Sequence, residues 1–126
     1  MELKTAESNN KSRLTNTGIE IQALNISIEC MLCQLIDNEL DIDWIESVLY
    51  LTQQQKICLK TAIELDVSQV SELTVSLLAY NRAVEAMCLK LIAEGEILSN
   101  LAEAVATLSR KQQPLIERLI CTIADL

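Results

Sequence analysis

Cys30 and Cys33 stand three residues apart in the stretch ECMLCQLIDNELDIDWIE, residues 29–46, and the carboxylates Asp37, Glu39, Asp41, Asp43 and Glu46 follow them. Thiols and carboxylates at such spacing are the raw material of metal binding or thiol redox chemistry. A zinc site needs about four soft or imidazole ligands converging tetrahedrally. The chain has no histidine, and its other thiols, Cys58, Cys88 and Cys121, are isolated singles with no second Cys-x-x-Cys. A redox pair draws its thiolate character from a helix N-terminus or nearby cations, yet no Lys or Arg occurs between residues 14 and 55. We therefore expect reduced thiols serving as small core residues in helices, with no metal. An odd number of cysteines, five, set within apolar periodic segments fits that better than a disulfide framework.

The acidic run resembles a calcium loop only in its alternation. With Asp37 as first ligand, the sixth position, where a glycine makes the sharp turn, holds Ile42, and the twelfth, where a bidentate Glu belongs, holds Val48. The carboxylates are expected to gather at a loop and at the start of the next helix, where the macrodipole favours them. Catalysis has little to work with either. Acid–base work near neutral pH is done most often by histidine, and two glycines cannot build a phosphate-binding or dinucleotide-binding loop. The expectation is a non-enzyme with no cofactor.

The elements that carry these residues follow from composition and periodicity. At 126 residues the chain is one domain by prior and buries roughly two thirds of its unfolded surface. Half of it is hydrophobic, but with two Tyr, one Trp and no Phe the core must be aliphatic. Gly18, Gly95 and Pro114 are too few to punctuate a many-stranded β protein. Apolar residues instead recur at three- and four-residue steps, the mark of helical faces. One stripe is Ile21, Leu24, Ile28, Met31 and Leu35; Thr17 and Glu20 offer a capping box before it. A second is Trp44, Val48, Leu51, Gln55, Cys58, Ala62 and Leu65, either one helix with a polar defect at Gln55 or two shorter ones. A third runs from Val70 through Leu77 and Val84 to Leu91 and resumes in phase at Leu98, with a break or kink favoured near Gly95. A last helix is expected to begin near Pro114 and bury Ile116, Leu119, Ile123 and Leu126. Residues 1–16 are polar and read as a flexible tail. The fold expected is all-α, an antiparallel bundle of four to six helices over residues 17–126.

With no apolar run fit for a signal peptide or a membrane span, a cytoplasmic location without membrane contact is expected. A helix-turn-helix can be tested at Asp66-Val67-Ser68. The tight-turn glycine is replaced by Asp66, an apolar position holds Glu72, and no cation occurs in the second helix before Arg82. Net charge −8 also sets a repulsive field against duplex DNA, so nucleic acid is disfavoured.

Charge asymmetry is the strongest functional signal. Residues 14–55 hold seven carboxylates (Glu20, Glu29, Asp37, Glu39, Asp41, Asp43, Glu46) and no cation. We take Glu29, Asp37, Glu39, Asp41, Asp43 and Glu46 as the candidate acidic interaction surface, suited to a basic partner. Several stripes are also apolar on a second side, at Leu32, Ile36, Leu78, Cys88 and Ile92. Such surplus suits a homo-oligomer or a helical protein partner. The expected function is a non-catalytic protein–protein interaction module, an adaptor, assembly subunit or chaperone-like bundle that self-associates. The alternatives are a small acidic inhibitor or immunity-type protein and a degenerate helix-turn-helix regulator.

Overall fold

The computed structural model describes the backbone of residues 2–37, 42–97 and 99–126, and the side chains of 9–34, 42–97 and 100–126. Its elements are four helices: α1 (Glu2–Asp37), α2 (Ile42–Glu64), α3 (Ser68–Glu94) and α4 (Ser99–Ala124). Each packs on two neighbours, α1 on α2 and α4, α3 on α2 and α4, while the diagonal pairs stay apart. Short connections force neighbours antiparallel, so the chain is an up-down-up-down bundle. Contacts far apart along the axes fix the register of α1 and α2. Trp44 Nε1 donates to the Met31 carbonyl at 2.8 Å, and Gln55 Nε2 donates to the Ile21 carbonyl at 3.2 Å. None of the described helices is long and apolar enough to cross a membrane.

Both open points about helix continuity are resolved. Residues 42–64 form one helix, in which the Thr52 hydroxyl donates back to the Val48 carbonyl at 2.8 Å instead of capping a new start. The chain does break at Gly95, which takes φ 73° and donates its N–H to the Leu91 and Ile92 carbonyls at 3.1 Å. That left-handed conformation suits glycine at a helix C-terminus. Of the residues expected to continue the stripe, Val105 is buried and Leu101 and Leu108 are half-buried, while the Leu98 side chain lies outside the described residues.

Two helix starts differ from expectation. α1 begins well before Thr17, whose hydroxyl donates to the Arg13 carbonyl at 2.8 Å, so no capping box forms there. Leu14, within the segment expected as a tail, is buried in one core cluster with Ile21, Leu59 and Leu119. α4 begins at Ser99, and Pro114 lies inside it. The proline is tolerated because it is exposed: its missing N–H frees only the carbonyl of Arg110, also at the surface. Gly18 serves packing, since a Cβ there would stand 3.2 Å from Ile123 Cδ1 of α4.

The core comes in two apolar halves. Ile21, Leu59, Leu77, Ile116 and Leu119 belong to one; Ile28, Ile45, Val48, Val84 and Val105 belong to the other. Leu32, Leu78 and Cys88, expected as second-face surplus, are core residues, whereas Leu126 is exposed. The cysteine expectation needs correcting for three positions: Cys58 and Cys88 are buried, but Cys30, Cys33 and Cys121 are exposed. The reason is phase. In α1 the core takes Ile21, Asn25, Ile28 and Leu32, and Cys30 and Cys33 fall off that line of three- and four-residue steps.

Candidate functional site: the groove between α1 and α2

The α2 side chains that point away from the core include Tyr50 and Ile57, two turns apart and 61% and 58% exposed. Each lines a depression between α1 and α2. Thr17, Glu20 and Leu24 of α1 face Gln54, Ile57, Cys58 and Thr61 of α2 in one. Met31 of α1 faces Asp43, Glu46, Ser47, Tyr50 and Leu51 of α2 in the other. The antiparallel register sets these depressions end to end along one groove. Its lining combines apolar side chains with the carboxylates of Glu20, Asp43 and Glu46 and contains no cation. Trp44 braces this wall of the bundle through its bond to Met31.

The candidate acidic residues therefore divide. Asp43 and Glu46 line the groove. Glu29 does not: it faces Arg110 of α4, and burial pushes its carboxyl up while the Arg110 charge partly offsets this. Asp37 is the last residue of α1. Glu39 and Asp41 lie outside the described residues. Glu20 joins the groove although the candidate surface omitted it; its place one turn before Leu24 was the available signal.

The thiols are inert where they are buried. Burial and the nearby Glu20 carboxylate push Cys58 up to about 11, and burial followed by Glu85 pushes Cys88 up to about 12. Among the described residues no group of His, Cys, Asp and Glu could hold a metal ion.

A second constellation lies midway along the bundle, between the two apolar halves. Asn25, Thr52, Gln55, Asn81, Ser109 and Gln112 are all buried there, with at most 1% exposure. Every helix contributes an amide. Asn81 Nδ2 donates to the Thr52 carbonyl at 2.9 Å and to Gln55 Oε1 at 3.1 Å, and Asn25 Nδ2 donates to Gln113 Oε1 at 3.0 Å. Of these residues the sequence pattern flagged Gln55 alone; polar residues on the core line of the other helices were the missed signal.

This geometry also bears on the helix-turn-helix test. α2 and α3 lie side by side along their length, tied by the Asn81 bonds and by the Lys56–Glu85 ion pair at 2.9 Å. A helix-turn-helix instead sets its helices at a steep angle across a short turn. Asp66 still makes the turn, with φ 51°, a conformation that Asp tolerates better than most residues.

No family model, curated protein or solved structure matches this chain.

Proposed function

We infer that the protein is a non-catalytic interaction module whose α1–α2 groove docks a cationic amphipathic helix of a partner protein. The observation that carries this is the composition of the groove. Exposed Tyr50 and Ile57, spaced as anchors for a helix laid along them, sit among Glu20, Asp43 and Glu46 with no cation. Helix-in-groove recognition uses apolar anchors at such spacing. Flanking charge of opposite sign speeds encounter and rejects wrong partners. A second copy would bring the same carboxylates to a symmetric contact, so self-association through this face works against its own charge. Exposed free thiols at Cys30, Cys33 and Cys121 fit a reducing compartment such as the cytoplasm.

The inhibitor reading draws on the same carboxylates, with a basic enzyme site as the occupant. Salt response separates the two. Docking on apolar anchors persists at high salt, whereas pairing that depends on charge alone weakens. The test is capture from source-cell lysate at both salt levels, comparing the wild type with Tyr50→Ser/Ile57→Ser. A partner bearing a cationic amphipathic helix, held in high salt by the wild type and lost by the variant, supports the reading. Equal retention by both proteins contradicts it.

A further inference from the structure

We propose that the polar layer at the centre of the bundle is a built water site, in which a buried water between α3 and α4 donates hydrogen bonds to Asn81 Oδ1 and Gln112 Oε1. No protein donor reaches either oxygen, although both side chains are buried to within 1%. Buried acceptors in native proteins are almost always satisfied, by protein or by ordered water.

The surrounding bonds fix the orientation of the Gln55 and Asn81 amides. The Ile21 carbonyl accepts only from a donor, so Gln55 must offer it Nε2 and turn Oε1 towards α3. The Thr52 carbonyl and Gln55 Oε1 then both require Nδ2 of Asn81. Rotating the Asn81 amide would put oxygen against two acceptors, so its Oδ1 stays directed away from α2.

The layer closes pair by pair around the bundle. Gln55 to the Ile21 carbonyl joins α2 to α1, Asn25 to Gln113 joins α1 to α4, and Asn81 to Gln55 joins α3 to α2. Among the described residues no direct side-chain hydrogen bond spans the remaining pair, α3 and α4. That pair carries the two orphan oxygens, one on each helix. A water has two protons to give to two acceptors, and buried waters occur where otherwise unsatisfied polar groups meet. A monovalent cation is the poorer occupant, because no carboxylate lies in the layer to balance a buried charge.

The test is magnetic relaxation dispersion of water oxygen and deuterium on the whole protein, wild type against Gln112→Met. The methionine removes one acceptor with little change of volume. The expected result is a dispersion from long-lived internal water in the wild type, reduced by about one molecule in Gln112→Met. No such dispersion in the wild type, or the same amplitude in both, would overturn the proposal. So would sodium or potassium bound stoichiometrically and retained on dialysis. Should the variant not fold, water cross-relaxation to the Asn81 side-chain amide protons decides in the wild type alone: its presence supports the site and its absence rejects it.

Discussion

Asn81 Nδ2 donates to Gln55 Oε1 at 3.1 Å across the buried centre of the bundle, and Gln55 passes the contact on to α1 through the Ile21 carbonyl. One glutamine thus links three helices between two apolar halves. Polar layers of this kind fix register in helical assemblies, because a slipped pairing would strand amides against aliphatic side chains.

Gln55→Ala should accordingly cost about 3 kcal/mol, combining a cavity with an unpaired Asn81 amide proton and the loss of the bond to the Ile21 carbonyl, which keeps its partner within α1. Gln54→Ala, one residue away and half-buried in the groove, should stay within about 0.5 kcal/mol. Urea unfolding followed by circular dichroism measures both, and equal costs would show that the layer contributes no more than surface.

Pro114 interrupts α4 at an exposed position. Replacing it by alanine restores a backbone hydrogen bond to the Arg110 carbonyl and a better helix former, for a gain of about 1–3 kcal/mol. A lower thermal midpoint in Pro114→Ala would mean that the proline is needed for the path of α4.

Gly95 behaves oppositely. No atom lies within 4 Å of where its Cβ would be, so alanine meets only the backbone penalty of φ 73°. Gly95→Ala should lose about 1 kcal/mol, and Gly95→Asn less, because asparagine adopts the left-handed region more readily. Chemical denaturation of the two variants ranks them directly.

Much of the fold was legible from spacing. The three- and four-residue steps located α2 and α3, and Gly95 marked the break because an exposed glycine at the end of a stripe is worth more as a cap than inside a helix. Pro114 misled because a proline fits the first turn of a helix so well that an exposed interior position was overlooked. The groove was half legible. Its carboxylates stood out against a stretch without cations, but Tyr50 and Ile57 reveal their exposure only once the core line of α2 is known to run through Ile45, Val48, Thr52, Gln55 and Leu59. The polar layer was nearly invisible, since Asn25, Asn81 and Gln112 read singly as surface residues. Their burial is a property of four helices together.

The thiols give a further check. Exposed Cys30, Cys33 and Cys121 should react with a thiol reagent in the native protein, and Cys58 and Cys88 only after unfolding. The Cys88 thiol has a folded value of about 12 against an ordinary 9.0. Folding therefore keeps its proton where the unfolded chain releases it. Stability from this group is fully present below pH 9.0 and is lost as pH rises towards 12, at about 1.4 kcal/mol per pH unit. Cys88→Ala should make the alkaline fall in stability shallower; an unchanged slope would mean that the thiol does not titrate with unfolding.

Binding of a cationic amphipathic helix to the α1–α2 groove is tested most directly by titrating a fluorescently labelled leucine–lysine helical peptide into the protein. The wild type is compared with Tyr50→Ser/Ile57→Ser, and with Val75→Ser/Leu89→Ser on the exposed side of α3 as control. The expected result is saturable binding that weakens at least about tenfold in the groove variant, with little change in the control. Equal affinity for all three proteins, or a greater loss in the α3 variant, would contradict the assignment of the groove as the docking site.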